Sequence, residues 1–183
     1  MEKNVTLIAL FAALIAALGL IPKIDLFFGV PITAQSLGIM LCGTILGAKR
    51  GALAVLLFLL LVAIGLPLLA GGRGGLGVFA SPTVGFLIGF PIAAFVTGLI
   101  TEKWRAGPVW LSAGVASVVG GIIVLYAFGI PGLAVMLDKT LVESTALVTA
   151  FIPGDVIKAA LAGMLTAALV KVRPASVLSR AEV

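Results

Sequence analysis

Within FIPGDVIKAALAGML, residues 151–165, an aspartate and a lysine, Asp155 and Lys158, stand three residues apart in an otherwise apolar stretch. At helical spacing the two side chains lie roughly 60° apart on one face, close enough to touch. Such a pair can pin a helix to its neighbours, move a proton, or hold a polar ligand. A lone charge at this depth in a membrane is costly, and pairing lowers that cost without abolishing it. Pinning alone does not require charges here, because Ala159, Ala162, Gly163 and Ala167 already offer close helix packing. Ionisable groups inside membrane spans mark substrate paths, so a ligand site is the expected role. Pro153 and Gly154 put the pair in the first helical turn, where free backbone N–H groups also favour anions.

Other polar residues are expected at the same end. DLFFGVPITAQSLG, residues 25–38, brings Thr33 and Gln35 to the start of a helix beneath an apolar cap of Phe27 and Phe28. AGGRGGLGVFASPTVG, residues 70–85, has five glycines between Gly71 and Gly77 around Arg73, which predicts a shaped lid that lets backbone approach a ligand closely. Apolar walls are expected from Phe79, Leu76 and the outer turns of helices four and five. Tyr126, the one tyrosine in the chain, serves either as a site residue or as a membrane-interface anchor. Helix one carries a different signal: Ala9, Ala13 and Ala17 recur every fourth residue, with Ala12 and Ala16 beside them. This smooth stripe lets another helix come very near, and from the residues alone packing within the bundle is the expected use.

The elements that must position these residues are membrane helices. The sequence is 62% hydrophobic and 10% charged, with a mean hydropathy of +1.32, a balance far from that of soluble domains. Apolar runs at 5–21, 32–48, 52–70, 82–101, 109–128 and 153–172 have about the length that spans a bilayer. Lipid offers no partner to backbone groups, and the alternation of barrel strands is absent, so one all-helical domain of six transmembrane helices is expected over 1–183. With the N-terminus cytoplasmic, Lys3, Lys49, Arg50, Lys103, Arg105, Lys171, Arg173 and Arg180 lie inside, against Lys23, Arg73 and Lys139 outside. The C-terminus is then cytoplasmic too. The segment 129–150 is too charged at Asp138, Lys139 and Glu143 for a seventh span and reads as an interfacial or re-entrant helix between helices five and six. The first run is too long for a signal-peptide core and lacks a small-residue cleavage site.

Composition excludes several chemistries. The chain has no histidine and one cysteine, Cys42, so a Ser-His-Asp relay, an intrachain disulfide and zinc or iron on protein ligands are not expected. GGRGG lacks the order of a nucleotide-hydrolysis loop, so energy from ATP would enter through another chain. The basic balance follows membrane topology, and no nucleic-acid-binding surface is legible.

VPITAQ, then GGRGG followed by SPTVGF, then PGDVIK, in this order and spacing, resemble the BioY family, the biotin-specific S component of energy-coupling factor (ECF) vitamin transporters. The resemblance covers essentially the whole chain. Ser81, Val84 and Phe86 depart from it, standing where Gly, Gly and Tyr are common. It implies a multi-pass receptor of the bacterial cytoplasmic membrane that binds biotin from outside, uses no cofactor and is not an enzyme. It also implies docking on a transmembrane coupling protein driven by ATPase subunits, with Ala9, Ala13 and Ala17 as the docking surface. Asp155 would accept from a ureido N–H of biotin, and Lys158 would donate to its carbonyl or reach its carboxylate. Arg73, Gln35 and the loop N–H groups of Gly74 and Gly75 are candidates for the remaining polar atoms. The alternatives are an S component for thiamin or riboflavin, a stand-alone biotin carrier and, least favoured, an intramembrane enzyme using Asp155 as general acid or base. Against the aromatic vitamins, Trp104 and Trp110 flank the predicted cytoplasmic loop, away from the site.

Overall fold

The computed structural model describes residues 2–26 and 29–180. The expected cap of Phe27 and Phe28 lies outside the described residues. Helices make up the structure: α1 (Glu2–Leu18), α2 (Gln35–Leu46), α3 (Ala48–Ala63), α4 (Val84–Lys103), α5 (Val109–Leu137), α6 (Leu141–Val148) and α7 (Ile152–Val172). Among the described residues, extended pairing is limited to two isolated bridges, Ile24 with Ile32 and Leu69 with Arg73. By length and apolar character, α4 and α5 could each cross a bilayer, with mean hydropathies of 2.1 and 2.2. Large apolar side chains also stand exposed along the other helices, among them Leu53, Leu56 and Leu60 on α3 and Ile157 and Met164 on α7. Such a surface suits lipid better than water.

Three elements differ from the sequence-based expectation. The fifth helix does not stop at Phe128 but continues through Pro131 to Leu137. The charged residues placed on one interfacial helix over 129–150 are instead divided: Asp138 ends α5 in a left-handed conformation (φ 51°, ψ 48°). A second, short helix then starts. Thr140 and Glu143 cap α6 reciprocally, each side chain bonding the other's backbone N–H. Gly129 and Gly132, on either side of Pro131, seat this part of the helix against α4. A Cβ on Gly132 would stand 2.5 Å from the Cα of Gly85. The third run ends its helix early, at Ala63, since Leu66 precedes Pro67 and is steered away from helical torsions.

The bundle is held at its two ends by different means. At one end α2, α5 and α7 converge around a cavity, described below. At the other end, Thr166 Oγ1 donates to Thr44 Oγ1 at 2.8 Å, joining α7 to the π-helical last turn of α2. The segment after α7 folds back beneath this rung. Val177 is fully buried, the Ser179 hydroxyl donates to the Thr44 carbonyl, and Arg180 donates to Ser112 on α5.

α7 also lies directly on α5. Its small face, with Ala159, Ala162 and Gly163 buried, is turned inward, and a Cβ on Gly163 would meet the Trp110 carbonyl oxygen at 2.4 Å. Backbone this close leaves no room to yield. Gly163→Leu is expected to destabilise the protein by about 1–3 kcal/mol, read as a lowered thermal midpoint in detergent, whereas Met164→Leu on the exposed face should leave it unchanged.

Candidate functional site

α7 opens with Pro153 in its first positions, which supplies the fixed backbone torsion a helix start needs. Asp155 therefore falls in the first turn and is buried, and Lys158 follows on the same face. Lys158 Nζ lies 2.9 Å from Asp155 Oδ1, with side-chain exposures of 14% and 7%, so this ion pair is largely withdrawn from solvent. Two further residues complete it. Ser36, in the first turn of α2, donates to Asp155 Oδ1 at 3.2 Å and accepts from Lys158 Nζ at 2.9 Å. Tyr126 on α5 donates its hydroxyl to Asp155 Oδ2 at 2.8 Å.

Counting hydrogen-bonding capacity shows what remains. An ionised carboxylate offers about four acceptor positions and an ammonium three donors. Lys158, Ser36 and Tyr126 occupy three of the former, and Asp155 and Ser36 occupy two of the latter. One acceptor position, on Asp155 Oδ2, and one ammonium donor are left. A ligand that carries both an N–H and a C=O has a partner for each.

These residues line a cavity of about 590 Å³ counted together with its open mouth. Its apolar wall comes from Phe86, Phe90, Leu125, Phe151 and neighbouring aliphatic side chains. Phe86 meets Tyr126 and Phe151 edge-on, with ring centroids 6.5 Å and 6.0 Å apart. Arg73 and Thr33 also line it. Arg73 is half-buried, and burial lowers its pKa while nearby Asp25 acts in the opposite direction. Its Nε donates to the Ala70 carbonyl at 3.4 Å, and no carboxylate lies within ion-pair distance among the described residues.

Gln35 borders the cavity but its amide is committed to backbone. Its Nε2 donates to the carbonyls of Ile15 and Leu68 at 3.1 and 3.0 Å, and its Oε1 accepts from Ala70 N–H at 3.0 Å. The structure does not bring Gly74 and Gly75 to the cavity. Gly75 N–H donates to the Val62 carbonyl at the end of α3, and Gly74 packs so tightly on Leu66 that a Cβ would stand 2.2 Å from its carbonyl oxygen. Leu76, expected as a wall, points away and is 75% exposed. The residue that sequence reasoning missed is Ser36. Its signal was its position one residue after Gln35, in the same polar TAQS stretch.

On α1, Ala9, Ala13 and Ala17 are exposed, while Phe11, Ala12 and Ile15 face the bundle. The stripe is therefore not an internal packing surface.

A model of the BioY family matches residues 2–175. The biotin transporter BioY of Rhodobacter capsulatus is 55% identical over 189 residues, spanning 98% of this chain and 100% of that one. The probable biotin transporter BioY of Bacillus subtilis is 46% identical over 159 residues, or 86% of this chain and 85% of its own. A crystal structure of the S-component for biotin from an ECF-type ABC transporter superposes with a TM-score of 0.88. It is 35% identical, and the match covers 93% of this chain and 92% of that one. With nearly the full length matched in sequence and in fold, the chain belongs to the BioY family.

Proposed function

We propose that this protein binds biotin in the cavity between α2, α4, α5 and α7 and acts in biotin uptake as the substrate-specificity subunit of an ECF transporter. One observation carries the reading: a buried, mutually neutralised Asp155–Lys158 pair keeps one acceptor and one donor unused in a cavity whose wall is aromatic and aliphatic and whose one other charged group among the described residues is Arg73. Biotin presents the matching parts. Its ureido ring places an N–H beside a carbonyl, its sulfur ring is apolar, and its carboxylate is carried on a flexible chain.

The electrical balance of the site assigns the two ends of the ligand. The pair is neutral overall and suits the uncharged ureido ring. Arg73 is a half-buried cation with no ion-pair partner among the described residues, and it suits the carboxylate. Ser36 and Tyr126 hold the Asp155 carboxylate in place, Thr33 borders the ring, and Gln35 fixes the cavity wall rather than touching the ligand. The names of the relatives favour biotin over thiamin or riboflavin.

In this reading six spans cross the bacterial cytoplasmic membrane, with both termini in the cytoplasm and the cavity facing outward. The exposed stripe of Ala9, Ala13 and Ala17 meets the transmembrane coupling protein, whose ATPase subunits supply energy.

Three measurements test this. Asp155→Asn and Lys158→Ala should each weaken biotin binding by about 10- to 100-fold in equilibrium titration. Unchanged affinity in both variants would make the pair structural. Arg73→Gln should weaken binding of biotin while leaving that of biotin amide unaltered; equal losses would move the carboxylate elsewhere. Ala13→Trp should abolish uptake in cells that contain the energising module, with biotin affinity of the purified protein unchanged.

A further inference from the structure

The end of the bundle remote from the biotin cavity carries a second hollow, between the start of α3 and the end of α4, lined by Ala48, Lys49, Arg50, Phe95, Leu99 and Glu102. Its charges are unbalanced. Glu102 Oε1 accepts from the Ala48 N–H at 3.0 Å and so caps α3. Gly47, at φ 84°, makes room for this contact, since a Cβ there would stand 2.0 Å from that same oxygen. Lys49 and Arg50 make neither an ion pair nor a side-chain hydrogen bond among the described residues. They lie in the first turn of a 16-residue helix, whose remaining free N–H groups and dipole also attract an anion.

The surface leading away from the hollow is apolar. On α3 the outward positions above Lys49 are Leu53, Leu56 and Leu60, with exposures of 50%, 50% and 59%. On the antiparallel α4, Phe95, Ile92 and Ile88 continue outward in the same helical rhythm, all exposed. A cationic seat joined to a long apolar lane is complementary to a molecule with an anionic head and a hydrocarbon tail. We propose that this hollow binds the headgroup phosphate of an anionic phospholipid, with Lys49 and Arg50 as its ligands and its acyl chains lying along α3 and α4. The inference is independent of the biotin site, which lies at the opposite end.

The test is native mass spectrometry of the full chain released from detergent micelles doped with equal phosphatidylglycerol and phosphatidylcholine. Wild type should retain phosphatidylglycerol preferentially, and Lys49→Gln/Arg50→Gln should reduce that retention about tenfold. Lys171→Gln/Arg173→Gln removes the same charge at the same end of the bundle and should leave it unchanged, as should Met164→Leu. Biotin affinity should be the same in all of them. Retention unaltered in Lys49→Gln/Arg50→Gln would overturn the proposal, and so would equal losses in both charge-removing variants, which would indicate diffuse attraction. Inorganic phosphate alone is the further arm: a thermal shift as large as that produced by phosphatidylglycerol would assign the hollow to a free anion and sink the lipid site. If the double variant does not fold, Lys49→Gln alone gives the same comparison.

Discussion

A carboxylate and an ammonium placed in a cavity largely withdrawn from water must neutralise each other and find partners for what is left of their hydrogen-bonding capacity. Most of this end of the structure follows from that requirement. Desolvating an ion costs several kcal/mol even after relaxation, and attraction within the pair offsets it only when the geometry is good. Here the neutralisation is reached by bringing three helices together. α7 provides both charges, α2 provides Ser36, which bridges them, and α5 provides Tyr126 to the second carboxylate oxygen. Each contribution fixes a helix as well as a charge. The pair thus organises the cavity and at the same time leaves it incomplete, because a fully saturated network would have nothing to offer a ligand.

The same economy explains why the other polar residues of the region divide into two groups. Gln35 has both of its donors and its acceptor on backbone, linking α1 to residues 68–70. Breaking a buried bond of this kind costs about 1–3 kcal/mol per group left unpaired. Its role is to hold the rim rigid. Arg73 makes one long bond to the Ala70 carbonyl and otherwise keeps its donors. A rigid rim with one uncommitted cation is complementary to an anionic group, and the glycines beside it serve the loop's turns, with φ of +80°, +70° and +81° at Gly71, Gly72 and Gly75.

Much of this was legible in the sequence because membrane chemistry makes charges scarce. Where charged residues are few, an acid and a base three apart in an apolar run stand out, and their contact needs only helical periodicity. The order of VPITAQ, GGRGG and PGDVIK made the family resemblance legible for the same reason. What was not legible depends on long-range packing. Ser36 looks like any polar residue near a helix start until α7 is laid beside it. Gly74 and Gly75 look available to a ligand until the end of α3 takes the Gly75 N–H. The extension of α5 past Phe128 could not be read from residue type, since Gly129, Pro131 and Gly132 are usually helix breakers. In the fold this stretch runs directly along α4, where Gly85 and Gly132 let backbone meet backbone.

The arrangement of the two ends follows from where small residues and charges fall along each helix. α7 is narrow on its inner face from Ala159 to Gly163, so it can lie on α5 without side chains between them, and the rungs above and below this crossing are polar. Above is the Asp155–Lys158 network with Ser36, and below is Thr166 with Thr44. Both rungs join α7 to α2, eight residues apart on each helix, which keeps them on one side of each. Directional bonds at two heights fix the register of α7 on α2 more firmly than apolar contact could, because a slide along the axis would break both rungs at once and leave buried polar groups unpaired. Register is what the cavity requires: a shift of even one turn would carry the Asp155–Lys158 pair as a unit away from Ser36 and leave both charges short of the partner that α2 supplies.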